Sequence, residues 1–216
     1  MATSIVFKLD MKIIAVTGYK GGVGKSTTAI HIAAYLSQYG DVLLVDGDPN
    51  HTAIAWSHRG ELPFTVAELA ACSSDTEHAK ELFQGRDYIV IDTPARPHSD
   101  DLLELANGCG LLIVPTTPDV VSLEPTLQTL GDLGKAPCRA LITIVPPKPS
   151  REGEAIREDL KASGIPVFET LIRRSSGCQK AASAGVSLRD LSGRDRLAWL
   201  DYQALGQEIL DTLHQN

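Results

Sequence analysis

The sequence has no apolar run that approaches the roughly 20 residues needed to span a bilayer as a helix. Its first ten residues, Met1 to Asp10, lack the long apolar core of a secretory leader. Met11-Lys12-Ile13-Ile14 reads as a natural start of its own. Residues 1–10 are therefore expected to be a short extension, and residues 11–216 a single domain with enough chain for a substantial core. Cysteine is sparse. Cys72, Cys109, Cys138 and Cys178 show no CxxC spacing, which argues against a disulfide framework or a metal cluster and for reduced, mostly buried thiols in a cytoplasmic protein. Aromatic residues make up only 5% of the chain, too few for a stacking platform that would hold single-stranded nucleic acid. Positive charge is also short, with 20 Lys and Arg against 27 Asp and Glu. That total argues against a nucleic-acid partner.

The distribution of charge reverses that inference locally. Residues 1–134 hold 8 basic and 17 acidic side chains, whereas residues 135–216 hold 12 and 10. Between Arg173 and Arg196 there are six basic residues, Arg173, Arg174, Lys180, Arg189, Arg194 and Arg196, and two acidic ones. A basic face of this kind can bind phosphates on a chain whose net charge is negative.

Short apolar runs alternate with longer amphipathic stretches. Residues 13–17, 42–45, 88–91, 111–114 and 140–145 read as buried parallel strands. Helices are expected over residues 25–38, 52–58, 75–83, 99–106, 124–133, 152–162 and 197–213. This alternation predicts an α/β fold with a mostly parallel, twisted sheet and helices on both faces. Ligands of such sheets sit beyond the carboxyl ends of the strands. Pro146-Pro147-Lys148-Pro149 follows a strand and reads as a rigid loop.

Gly18-Tyr19-Lys20-Gly21-Gly22-Val23-Gly24-Lys25-Ser26-Thr27 joins the first strand to the first long helix. Glycines let the backbone curl so that its N–H groups face a phosphate, and the helix N-terminus adds partial positive charge. Lys25 is placed to reach the β- and γ-phosphates of a nucleotide, and the Ser26 hydroxyl to ligate Mg²⁺. The pattern departs from G-x-x-x-x-G-K-[ST] in one place, because Tyr19 stands where the first glycine belongs.

Two acidic motifs close strands at the same edge. Asp92 follows Tyr88-Ile89-Val90-Ile91, a Walker B pattern, and is expected to hold Mg²⁺ through water, since that ion dehydrates reluctantly. Asp46-Gly47-Asp48-Pro49 follows the second strand. Asp48 also stands where it could cap the helix expected at residues 52–58.

With Lys20-Gly21-Gly22-x-Gly24-Lys25-Ser26 and Asp46-x-Asp48-Pro49 in place, the chain resembles the ParA/MinD family of deviant Walker ATPases. The resemblance extends through Leu112–Pro118, through Leu141-Ile142-Thr143 with the proline loop, and through Thr170–Arg174 with Ala181–Gly185, so that it covers residues 11–213. It implies a P-loop NTPase fold and slow ATP hydrolysis with Mg²⁺. Lys20 would be the family's second lysine, crossing a dimer interface to the partner's nucleotide. Residues Lys20 to Thr27 would bind phosphate, and Thr143, Pro146 and Pro147 would cradle the adenine. Asp48 would orient the attacking water and Asp46 support the metal shell, with Asn50 standing for the usual glutamine. Lys20, Lys25 and Asp48 would be the catalytic residues.

The layout is that of small plasmid-type ParA partition proteins without an N-terminal helix-turn-helix domain. Such proteins form an ATP-dependent homodimer that binds double-stranded DNA without sequence preference. A ParB-like or other cargo-adaptor protein then drives hydrolysis. Arg174 aligns with a basic position of the family's DNA face, and the other five basic residues lie near it in sequence. The chain departs from the family at Tyr202-Gln203-Ala204, where basic residues are common. Residues 205–216 carry two acids and no Lys or Arg, unlike the basic amphipathic helix of MinD-type proteins, so no membrane partner is expected. Cys109 and Cys138 read as packing residues rather than the cluster ligands of nitrogenase iron proteins. The expected role is an ATP-driven, nucleoid-associated positioning protein for a plasmid, a chromosome or a protein assembly such as a carboxysome. The alternatives are a metabolic, amidoligase-like member of the same superfamily and a MinD-like membrane-associated ATPase.

Overall fold

The apolar runs form parallel strands, and alternate residues of each strand enter two separate apolar layers. The computed structural model describes residues 11–72 and 77–215; the extension expected at residues 1–10 and the start of the helix expected at 75–83 lie outside them. The described elements are β1 (Lys12–Val16), α1 (Lys25–Leu36), β2 (Val42–Asp46), α2 (Thr52–Ser57), β3 (Thr65–Glu68), α3 (Leu69–Cys72), α4 (Glu77–Phe83), β4 (Tyr88–Asp92), α5 (Ser99–Gly108), β5 (Leu111–Thr116), α6 (Val120–Leu133), β6 (Cys138–Ile142), α7 (Glu152–Ala162), α8 (Ser176–Ala184) and α9 (Leu197–Gln215). Two short 3-10 turns, Leu188–Asp190 and Gly193–Arg196, precede α9. The strands pair in the order β3-β2-β4-β1-β5-β6, every pair parallel.

On one face, Ile14, Val16, Leu44, Val90, Ile113 and Leu141 pack with α1, α2, α8 and α9. On the other, Ala15, Leu112 and Val114 meet α5 and α6, Leu43, Val45 and Ile89 meet α3 and α4, and Ala140 and Ile142 meet α7. Helix α1 lies deepest, with all but two of its residues buried. Helix α9 packs against it through Tyr202, Leu205 and Ile209. Gly206 permits this approach, because a Cβ there would lie 2.1 Å from Cδ1 of Tyr35.

Three differences from the sequence reading have local causes. Strand β6 stops at Ile142 rather than 145, because Ile144 turns into the left-handed region (φ 54°). Val145 then bonds instead to the segment around Arg173. Helix α6 begins at Val120 rather than 124, because the Asp119 side chain accepts the Ser122 N–H and starts the helix ahead of Pro125. Pro115 is tolerated inside β5 because its missing N–H faces the β1 side, and β1 has already left the sheet after pairing with Ile113. The edge strand β3 and helix α8 are absent from the sequence reading. The ends of α8 are nevertheless signalled by the Ser175 cap and by Gly185 in the left-handed region (φ 70°).

Candidate nucleotide-binding site

Strand register gathers the site. Val16, Asp46 and Asp92 occupy matched positions on β1, β2 and β4. The phosphate loop therefore leaves β1 beside both acidic strand ends. The loop and the strand ends around it are tied together. Gly47 N–H donates to the Asp92 carbonyl at 2.8 Å, Thr93 N–H to the Val16 carbonyl at 3.2 Å, and the Thr143 hydroxyl to the Val23 carbonyl at 2.8 Å. Gly22 and Gly24 hold left-handed φ values of 78° and 85°, which side-chain-bearing residues rarely adopt.

The Lys25 ammonium donates to the Lys20 carbonyl at 3.0 Å, closing the loop on itself. Burial pulls its pKa down, opposed by the nearby Asp92 and Asp48 carboxylates. Asp92 is fully buried, and neither carboxylate oxygen has a hydrogen-bond partner. Burial pushes it up to about 7; the Ser26 hydroxyl close by and Lys25 pull it down, while Asp46 and Asp48 push it further up. A buried carboxylate left without donors, next to a serine hydroxyl and a helix N-terminus, suits the outer shell of a Mg²⁺ ion bound with phosphate. Among the described residues no three His, Cys, Asp or Glu side chains converge as a ready-made metal cage. Mg²⁺ bound to nucleotides does not need one, because waters and phosphate oxygens complete its shell.

The two aspartates of the second motif differ in their partners. Both oxygens of Asp46 accept backbone N–H groups, from Asp48 at 3.1 Å and from Ile54 at 3.0 Å. Asp46 thus serves the amino end of α2, the capping role that the sequence suggested for Asp48. Asp48 accepts two bonds on Oδ1, from the backbone and side-chain nitrogens of Asn50 at 2.8 and 2.7 Å. Its Oδ2 has no hydrogen bond among the described residues. Asn50 therefore orients Asp48, a role that the sequence reading did not assign.

A cleft of about 440 Å³ opens beside the helix end of the loop, lined by Gly24, Thr27, Thr28, Thr143, Ile144, Arg173, Arg174 and Tyr202 among others. Thr143 lines it, and Pro146 and Pro147 do not. A second cleft, on the other flank of the loop, is lined by Tyr19, Lys20, Gly21, Ala95, Arg96, Val121, Pro125 and Gln128. Tyr19 is held there by α6, its hydroxyl donating to Asp132 at 2.7 Å and its N–H to the Thr129 hydroxyl at 3.2 Å. The residue in the first glycine's place is thus an anchor of the loop.

The six basic residues do not act alike. Arg173 forms a bidentate pair with Asp201 at 2.6 and 2.7 Å, and Lys180 pairs with Asp195 at 2.6 Å. Arg189 stands 3.9 Å from Asp190. Arg174, Arg194 and Arg196 are exposed and make no ion pair among the described residues.

Residues 14–188 match the CobQ/CobB/MinD/ParA nucleotide binding domain. The chain belongs to this family. It is 33% identical over 204 residues to the maintenance of carboxysome distribution protein A of Gloeobacter kilaueensis, covering 92% of this chain and 94% of that protein. The protein of the same description from Halothiobacillus neapolitanus is 28% identical over 206 residues, covering 91% and 95%. Among solved structures, a plasmid partition protein of Borrelia burgdorferi B31 bound to AMPPNP superposes with a TM-score of 0.69 at 21% identity, covering 95% of this chain and 99% of that one. The ATP complex of a Cyanothece McdA variant gives 0.66 at 17%, covering 95% and 97%. Cobyrinic acid a,c-diamide synthase of Mycobacterium smegmatis with ADP and magnesium gives 0.61 at 20%, covering 93% and 94%. At these identities the structures show the shared P-loop fold.

Proposed function

We infer that the protein is a ParA-type ATPase that closes as a homodimer on ATP·Mg²⁺, binds duplex DNA without sequence preference and is driven by a partner protein to position cargo. The observation that carries the nucleotide assignment is the buried, unpartnered Asp92 carboxylate beside Ser26 and the Lys25 loop. When bound, Mg²⁺ would be held by Ser26 and, through water, by Asp92, and would neutralise charge on the β- and γ-phosphate oxygens. Lys25 holds the same oxygens from the loop side and Ser26 offers a ligand oxygen. Asp48, whose Oδ1 is held by Asn50 and whose Oδ2 accepts no hydrogen bond among the described residues, orients the attacking water. Water oxygen bonds to the γ-phosphorus, the bond to the β-γ bridging oxygen breaks with its electrons passing to ADP, and the released proton goes to solvent. Such transfers need placement and charge stabilisation more than a strong base. Lys20, at the outer flank of the loop, supplies a second cation to the nucleotide of the partner copy.

Arg174, Arg194 and Arg196 are the free cations of the proposed DNA face. One copy offers few phosphate contacts, and a dimer doubles them on one duplex. The full-length likeness to the carboxysome distribution proteins favours a protein assembly as cargo over a plasmid or chromosome. A MinD-like membrane role has less support, because the apolar face of α9 lies in the core and no described helix is long and apolar enough to cross a membrane. The fold shared with the diamide synthase keeps an amidoligase as the second reading; ATP turnover that depends on a small carboxylic acid and not on DNA would select it. The deciding test is retention on random-sequence duplex at low and moderate salt. Binding with ATP but not ADP supports the switch, and equal binding in both states rejects it.

A further inference from the structure

Three non-glycine residues among those described hold left-handed φ values, His51 (48°), Arg96 (66°) and Ile144 (54°). All three stand on loops leaving the carboxyl ends of strands, around the candidate site. Such backbone strain persists where the surroundings over-determine it, and it clusters at functional sites. His51 follows the Asp48 turn, and Ile144 lines the cleft beside α1. Arg96 has no role in the mechanism above. It lies in Pro94-Ala95-Arg96-Pro97, four residues beyond Asp92. A residue before proline is normally pushed to extended backbone, so its left-handed geometry is doubly disfavoured.

Arg96 shares the outer cleft with Lys20 and Gly21. The loop carrying it sits directly against the phosphate loop, since a Cβ on Gly21 would lie 3.9 Å from Cβ of Ala95. Residues 1–134 contain only eight basic side chains, and two of them line this one cleft. No acidic residue lines it, and Asp132 nearby is already engaged by the Tyr19 hydroxyl. Lys20 helps to hold the Asp119 carboxyl below its usual range, behind the bonds that its oxygens accept from Thr117 and Ser122. Arg96 itself is exposed and makes no hydrogen bond or ion pair among the described residues. The cleft is therefore a two-cation site with no acidic residue in its lining. It lies on the flank of the loop opposite the 440 Å³ cleft, with exposed Val121 and Gln128 on its rim.

Resting on the dimer reading above, we propose that Arg96 is a second trans-acting cation: with Lys20, its guanidinium binds the phosphate oxygens of the ATP held by the other copy. A planar guanidinium can take two oxygens at once, where Lys20 acts as a point charge. The left-handed turn fixes the side chain at the cleft before the partner arrives.

The test uses Arg96→Gly, which removes the side chain and relieves the backbone strain together, so that the variant folds. It should melt no lower than the wild type and bind ATP as a monomer within about twofold, while turnover falls by about 100-fold or more. Arg96→Lys should recover part of that loss. The trans assignment is read by mixing Arg96→Gly with Asp48→Ala, which lacks its own water-orienting carboxylate but presents an intact Arg96. Each variant alone should be nearly inert, and the mixture should turn over ATP. Wild-type turnover by Arg96→Gly alone, or a mixture as inert as its components, overturns the proposal. A wild-type protein that stays monomeric with ATP in sedimentation overturns the dimer reading on which it rests, and the two failures are thereby told apart.

Discussion

The imidazole of His31 stacks on the ring of Tyr202, with centroids 4.7 Å apart and planes at 19°. His31 lies in the second turn of α1, and its Nδ1 meets the Thr27 carbonyl at 2.6 Å. Its Nε2 accepts the Leu188 N–H at 3.1 Å, which fixes the proton on Nδ1. One neutral imidazole thus joins the end of the phosphate loop to the 3-10 turn that carries Arg189 and to α9. Trp56 of α2 makes a parallel link, its indole N–H donating to the Val186 carbonyl at 2.9 Å.

Burial holds the His31 pKa down at about 4, partly offset by the Thr27 carbonyl and Asp190. Folding thus lowers a basic group's pKa from 6.5, so the unfolded chain binds a proton that the folded chain refuses. Stability from this group is present above pH about 6.5 and is lost as pH falls through the window down to about 4, by on the order of 3 kcal/mol. Urea unfolding across this window should show the slope, and His31→Gln should flatten it.

Asp48→Ala should leave ATP binding and ATP-dependent association intact while lowering turnover by about 100-fold or more, since Asp48 positions water and does not hold phosphate. Asn50→Ala should give a smaller loss of turnover, because it frees Asp48 from its two orienting bonds without removing it. Lys25→Ala should abolish nucleotide binding. Equilibrium binding of a fluorescent ATP analogue, alongside phosphate release, separates the three variants.

Asp92→Asn should raise the thermal midpoint of the nucleotide-free protein, by an amount corresponding to about 1 kcal/mol. It replaces a buried carboxylate that has no donors with a neutral group of the same shape. Mg²⁺-dependent turnover should fall sharply. Calorimetry without nucleotide and turnover titrated with Mg²⁺ check the two halves.

The neighbouring arginines should separate by function. Arg173 is tied to Asp201, which is only 12% exposed, so Arg173→Ala should lower stability by about 1 kcal/mol. Arg174 has no such pair, and Arg174→Glu should leave stability unchanged while abolishing retention on duplex DNA. Denaturation curves and a DNA-retention assay on the same preparations read both.

Gly206→Ala should destabilise the fold by about 1–3 kcal/mol despite the better helix propensity of alanine. The new methyl would lie 2.1 Å from Cδ1 of Tyr35, and α9 must move off α1 to admit it. Chemical denaturation measures the loss.

Features that depend on neighbours along the chain were legible before any folding was known. Apolar runs gave five of the six described strands to within a few residues. The glycines, Lys25 and Ser26 marked the candidate phosphate loop; Asp46 and Asp92 were legible because each ends a strand, and Asp48 because it follows Asp46 by two residues. These signals are local: strand periodicity, helix ends and loop chemistry act over a few residues. Tertiary structure alone decided what each group touches. It gave both Asp46 oxygens to backbone N–H groups, left Asp92 without a partner and tied Arg173 to Asp201 across 28 residues. It also joined His31 to Leu188 across 157 residues and brought Arg96 to the cleft of Lys20. Strand β3 escaped the sequence reading because an edge strand of four residues is too short for its alternation to stand out. Such pairings depend on register and packing between distant segments, and a one-residue shift in register would give each side chain a different neighbour.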